Sequence, residues 1–212
     1  MKKAFVLLVL IAIAQSLIAQ SNFYLYQQDK NKPEYTPVRT IIDDGLNGIT
    51  IEYNFDGVYM NDAQVDGVNY TRLNIKDFSH LMEVGKPSLP SHNDIIAIPV
   101  GATAQIEIIS YDVTEVNDVL AFPALQAAAD YVGAPEPSFE IDEVFYKMDT
   151  KYPTKIAEIN TINYYRNIPL AIVQIHPVQY NPKEKTLFVY SNIKYKVSFS
   201  QSNEFLKGTS IN

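Results

Sequence analysis

The chain has 212 residues, 24 acidic against 17 basic side chains for a net charge of −7, and no cysteine. Without a thiol it can form neither a thiolate nucleophile nor a Cys-based metal site. Its acidity argues against a nucleic-acid partner, because phosphate binding needs a basic face.

The N-terminus carries Lys2 and Lys3, an apolar run from Ala4 to Ala14, and then Gln15-Ser16-Leu17-Ile18-Ala19. A basic start, a short apolar stretch and a small residue at the cut describe a secretory signal peptide, expected over residues 1–19. The run is short of the roughly 20 residues that span a membrane. No stable membrane anchor is therefore expected after cleavage, and a retained N-terminal anchor is the weaker alternative. The mature chain is expected to be secreted, to the periplasm, cell surface or medium of a bacterium. Without disulfides it depends on its core, which about 190 residues can supply.

Residues 20–48 read as a lead-in, with breakers at Asp43-Asp44-Gly45 and Asn47-Gly48. From there the periodicity is that of strands. Ile49, Ile51, Tyr53 and Phe55 alternate with Thr50, Glu52 and Asn54, which sends one set to a core and the other toward water. Asp56-Gly57 and Asp66-Gly67 read as turns. Ile95-Ile96-Ala97-Ile98 is apolar on both faces and is expected to be a central or sandwiched strand; Pro99-Val100-Gly101 ends it. Gln105 to Ile108 alternates again. Pro123-Ala124-Leu125-Gln126-Ala127-Ala128-Ala129-Asp130 is alanine-rich and predicts a turn or two of helix, stopped by Pro135 and Pro137. A long crossing connection follows, to about Pro153.

Ala171-Ile172-Val173 repeats the pattern of a strand apolar on both faces. Asn181-Pro182 starts a turn expected to return Leu187–Tyr190 beside Leu170–Ile175. Ile193, Tyr195, Val197 and Phe199 alternate with Lys194, Lys196 and Ser198. The lysines at 183, 185, 194 and 196 fit the solvent face of this hairpin. Residues 201–212 read as a tail or linker. Short strands with turns every ten or so residues give an all-β domain, a β-sandwich or jelly roll, over 49–200.

Chemistry-bearing residues are sparse. His80, His92 and His176 are the only histidines and lack the spacing of a metal pair. The Asp43–Gly45 and Asp62–Gly67 stretches lack the full EF-hand pattern, so no cofactor is expected and a structural Ca2+ is a minor alternative. Fifteen tyrosines with no tryptophan are assigned to cross-strand packing ahead of a sugar-binding platform.

Three blocks together resemble the propeptide family of gingipain-type cysteine peptidases. The first is Asp66–Ile75 followed by Val84-Gly85-Lys86-Pro87-Ser88-Leu89-Pro90. The second is Ile96-Ala97-Ile98-Pro99-Val100-Gly101-Ala102. The third runs from Tyr164-Tyr165-Arg166-Asn167-Ile168-Pro169-Leu170 through His176-Pro177-Val178-Gln179-Tyr180-Asn181-Pro182 to Phe199. Gly85 and Gly101 suit tight bends, and Pro87 and Pro90 an extended approach to a strand. Arg166, Pro169, Pro177, Tyr180, Asn181 and Pro182 complete the family positions, and Arg166 is expected to make a structural salt bridge or backbone contact.

The resemblance implies a non-catalytic β-sandwich that assists folding of a gingipain-like cysteine peptidase and blocks its active site sterically, in cis or in trans. Such blocking uses a loop, here expected between about Asp130 and Glu158, where Lys147, Lys151 and Lys155 are the candidate inhibitory side chains. A peptidase domain with catalytic His and Cys would need several hundred residues after Ser200, so the chain is expected to be the N-terminal piece of a longer precursor. The alternative is a stand-alone secreted sandwich that binds glycan or a cell-surface protein.

Overall fold

The computed structural model describes residues 24–26, 36–55, 57–127 and 138–200. The expected signal peptide, residues 20–23 and 27–35 of the lead-in, the tail from 201, Asp56, and residues 128–137 with Pro135 and Pro137 lie outside the described residues.

Twelve strands are described: β1 (Tyr24–Tyr26), β2 (Val38–Gly45), β3 (Gly48–Asn54), β4 (Gly57–Val65), β5 (Val68–Asn74), β6 (Ser79–His80), β7 (Pro90–Ala97), β8 (Thr103–Val116), β9 (Ala157–Tyr165), β10 (Ile168–Ile175), β11 (Val178–Asn181) and β12 (Thr186–Ser200). β12 runs through the middle of one sheet. It pairs with β8 along one edge, and with β11 and then β3 along the other; β2 lies outside β3. The second sheet has the order β6-β7-β10-β9. A third, β1-β4-β5, is built on the β4–β5 hairpin, whose turn places Asp66 and Gly67 at positive φ, 49° and 80°. Two consecutive left-handed residues are what a two-residue hairpin turn requires, which is why Asp-Gly marks it.

The first two sheets face each other across the core. Ile51, Tyr53, Ile193, Tyr195 and Val197 from one meet Ile96, Ile98, Ala171, Val173 and Ile175 from the other, and all are buried. This is the all-β architecture that the alternation implies. A polar cluster bridges the sheets within this core. The Asp94 carboxylate accepts from Arg39 Nε at 2.9 Å and from the Tyr195 hydroxyl. Burial first, then the Asp94 charge, holds the Tyr195 and Tyr53 phenols well above their ordinary pKa of 10.

The Ile95-Ile96-Ala97-Ile98 run is central, with β7 between β6 and β10, rather than sandwiched: Ile96 and Ile98 point inward, and Ile95 is 65% exposed on the outer face. Two expectations are corrected. Leu187–Val189 pair with Val178–Tyr180 rather than with residues 170–175, because the turn at Asn181-Pro182 closes a local hairpin. β10 is instead flanked by β7 and β9. The described part of the alanine-rich stretch, 123–127, is not helical; Pro123 and Ala124 form isolated bridges to Pro87 and Val84. Their backbone groups are claimed by a neighbouring segment, which overrides a local helical preference.

Candidate functional site

The crossing connection between β8 and β9 is the most unusual part of the molecule, because its described residues are a strap stitched to the body. Its first half, 119–124, lies between β5 and the Gly85–Leu89 turn. Thr71 N donates to Leu120 O and Phe122 N to Thr71 O, while Gly85 N donates to Ala124 O and Ala124 N to Lys86 O. Phe122, Tyr70 and Phe139 form an edge-on aromatic cluster, and the Arg72 guanidinium lies 3.6 Å from the Phe122 ring centroid.

The second half starts at the same turn. Asp142 N donates to Gly85 O at 3.0 Å, and Asp142 Oδ1 accepts from Phe145 N at the start of a single 3-10 turn over Phe145–Lys147. Phe145 is buried against Tyr152. Lys86 Nζ sits over both rings and donates to Glu83, which also accepts from the Tyr152 hydroxyl. The hydrogen bond from Lys86 is the main reason the Glu83 carboxyl lies below its ordinary pKa. Further on, Met148 O accepts from Lys183 N, and Tyr152 and Tyr180 exchange backbone hydrogen bonds at 2.9 and 2.7 Å. Gln179 Nε2 donates to Pro153 O, and His176 N to Ile156 O.

The residues that carry the resemblance are largely the strap's seat. Gly85 has φ +80°, and a Cβ there would stand 3.0 Å from Asp142 N, so glycine serves both conformation and clearance. Pro87 bridges Pro123, and Pro90 opens β7. Tyr180 is fully buried and donates its hydroxyl proton to Val119 O at 2.9 Å. Asn181 Nδ2 donates to Asp149 Oδ1, and Lys183 pairs with the other oxygen of that carboxylate; together they hold its pKa below the ordinary value. Pro182 O accepts from Lys185 N in the turn.

The remaining residues that carry the resemblance shape strand ends. Gly101 turns at φ +78°. Pro177 O accepts from Tyr190 N and Pro169 O from Ile98 N. Arg166 sits exposed in the β9–β10 turn at φ +56°, its guanidinium 5.5 Å from the Tyr165 ring centroid.

The three candidate lysines lie on the strap and reach groups of the same chain. Lys147 pairs with Glu143 at 3.2 Å, both highly exposed, and Lys155 with Glu158 at 2.9 Å. Lys151 Nζ is 3.5 Å from the centre of the Phe188 ring. The structure does not bring these lysines together at one point. Sequence reasoning missed the Asp142–Phe145 hydrogen bond, the Glu83–Lys86–Tyr152 contact and the Asp94 cluster. Only Asp94, a charge directly before the apolar run Ile95–Ile98, left a signal to follow.

The histidines are apart as well. His80 Nε2 lies 2.8 Å from Leu73 O, and His92 packs beside Tyr53 and Phe78. Among the described residues no three His, Asp or Glu side chains are placed to share a metal ion. His176 is 2% exposed and, among the described residues, neither ring nitrogen has a hydrogen-bond partner; Glu158 Oε1 is 4.0 Å from Nε2. Burial depresses its pKa below 6.5, and Glu158 offsets this only in part. Above pH 6.5 the ring is neutral in both folded and unfolded chains. Below it the unfolded chain takes up a proton that the folded one resists, so stability falls with acidification. A melting series from pH 7 to about pH 5 should drop more steeply for the native chain than for His176→Gln. Parallel curves would show that the ring is readily protonated in place.

The Propeptide_C25 family profile matches residues 27–211. Lys-gingipain of Porphyromonas gingivalis is 24% identical over 92% of this chain, and gingipain R2 of the same organism 25% identical over 70%. The chain spans only 12% of the Lys-gingipain length and 20% of that gingipain R2. Two solved structures share the fold. One, concerned with the zymogenic latency of gingipain K from P. gingivalis, has a TM-score of 0.66 and 21% identity over 82% of this chain and 96% of that one. The other, a complex of the P. gingivalis RgpB pro- and mature domains, has a TM-score of 0.68 and 21% identity over 80% of this chain and 87% of that one. With the profile covering most of its length, the chain belongs to the Propeptide_C25 family.

Proposed function

We propose that this chain is the secreted prodomain of a gingipain-like cysteine peptidase, itself non-catalytic, which assists folding of the peptidase and obstructs its active site sterically. The observation that carries this reading is the strap. Gly85, Tyr180 and Asn181, positions far apart in sequence, hold the described residues of one crossing segment, whose second half, 138–156, is largely exposed. A segment ordered before docking loses little conformational entropy on contact, which suits a steric plug.

Of the three lysines, Lys147 is best placed to enter a cleft. It stands on the 3-10 turn with its side chain 76% exposed, and its one ion pair is with an equally exposed glutamate. Such a pair is weak and is readily given up on docking. Joined to its peptidase, the domain acts at an effective concentration on the order of mM, so modest affinity suffices; acting in trans it would need about nM affinity.

The test is an inhibition assay with the purified chain and two probes, mature Lys-gingipain and mature gingipain R2. Slowed peptide hydrolysis at about 10 μM chain is expected, weakened by Lys147→Ala. No slowing of either probe would sink the inhibitory reading. Full inhibition by the Lys147→Ala chain would move the plug elsewhere on the strap.

A further inference from the structure

Where the first half of the strap crosses the third sheet, a cavity of about 530 Å³ opens between β5, β6 and residues 122–127. Leu73, Phe122, Pro123 and Ala124 line it and are buried, so its depth is apolar. Arg72, Asn74, His80, Ser88 and Gln126 supply its polar groups. No Asp or Glu is among the described residues that line it, in a chain that carries 24 of them.

Two side chains give the cavity a chemical preference. The Arg72 guanidinium carbon is 3.6 Å from the centre of the Phe122 ring; at that distance the contact is face-on and leaves the in-plane N–H groups for an acceptor. Arg39, Lys86, Lys155, Lys183 and Lys194 each meet a carboxylate of this chain, but among the described residues none meets Arg72. His80 Nε2 lies 2.8 Å from Leu73 O. A carbonyl only accepts, so Nε2 carries the proton and Nδ1 of the neutral ring is left as an acceptor.

A guanidinium fork suits a carboxylate, an imidazole acceptor suits an N–H, and buried apolar residues suit a hydrocarbon side chain. The C-terminal end of a short peptide carries all three groups. We propose that this cavity binds a short peptide by its free C-terminal carboxylate, with Arg72 as the carboxylate's partner and an apolar last side chain against Leu73 and Pro123. Peptides with new C-termini are released by peptide hydrolysis, so that is the class of reaction that supplies the ligand. Residues 122–127 wall one side of the cavity and β5 the other, so a bound peptide also ties the strap to the body. The site uses none of the strap's lysines and stands apart from the prodomain reading above.

The experiment is a chemical-shift titration of the purified chain with three probes: the dipeptide alanyl-leucine, its C-terminal amide, and inorganic phosphate. Alanyl-leucine is expected to bind with a Kd on the order of 1 mM, and the amide about tenfold more weakly. Arg72→Gln should weaken the free acid about tenfold, and Arg72→Lys, which keeps the charge without the fork, should fall between. Melting curves accompany both variants, and the comparison of acid with amide uses the native chain and depends on neither. Equal binding of acid and amide overturns the proposal, as does phosphate binding as tightly as the dipeptide. So does failure of all three probes to bind at roughly 20 mM. Dipeptide binding that appears only in Asp130→Asn assigns Arg72 to a carboxylate of this chain and overturns the proposal as well.

Discussion

Asp94→Ala is expected to destabilise the domain by about 3 kcal/mol, a fall of roughly 6–12 °C in melting temperature for a domain of this size. The carboxylate is the joint acceptor for Arg39 from β2 and Tyr195 from β12, and it comes from β7 in the facing sheet. The two dependents differ in what they lose. The Arg39 side chain is 34% exposed and can turn toward water, whereas Tyr195 is fully buried and would keep an unmet hydroxyl. An orphaned buried donor costs about 1–3 kcal/mol, and breaking the half-buried ion pair supplies the rest. Asp94→Asn keeps the shape and one acceptor, so about half the loss is expected. Urea denaturation followed by circular dichroism measures both. An Asp94→Ala protein within about 0.5 kcal/mol of the native chain would show that the sheets are held by apolar packing alone.

That cluster illustrates which parts of the fold were legible in the sequence. Strict alternation at 49–55 and 193–199 identified β3 and the end of β12, because one side of each meets the core and the other meets Glu52, Lys194 and Lys196. Apolar runs are less informative. Nothing local separates Ile96, which is buried, from Ile95, which faces outward, since both are isoleucine and only the register against β10 distinguishes them. Pairing was misread at Leu187 because the sequence shows that Asn181-Pro182 turns the chain but not that His176-Pro177 has already closed the preceding strand. The strap was legible only as a long connection containing three lysines. Its seat depends on Gly85 meeting Asp142, and Tyr180 meeting Tyr152 and Val119, contacts whose partners are far apart in the chain. Periodicity carries no record of such encounters. The family positions marked one side of each contact without indicating the other.

Tyr180→Ala is expected to have the largest effect of any single change, about 3–5 kcal/mol, and to free the strap as well as weaken the core. The ring is fully buried and edge-on to Tyr146 of the 3-10 turn, and its hydroxyl holds Val119 at the strap's entry. Its backbone meets Tyr152 near the strap's exit. One residue, through its ring, hydroxyl and backbone, thus connects both ends of the crossing segment to β11. Tyr180→Phe preserves the packing and removes only the hydroxyl, leaving Val119 O without that donor, for an expected loss of about 1 kcal/mol. Digestion with a lysine-specific protease separates release of the strap from general loss of stability. In the native chain Lys147, Lys151 and Lys155 lie on a stitched backbone and should be cut slowly. In Tyr180→Ala they should be cut first and rapidly, at temperatures where the β12 sheet still gives its native spectrum. Cleavage that instead follows global unfolding would mean that the strap and the sandwich open as one unit. In that case its ordering comes from the whole core and not from the contacts at Tyr180.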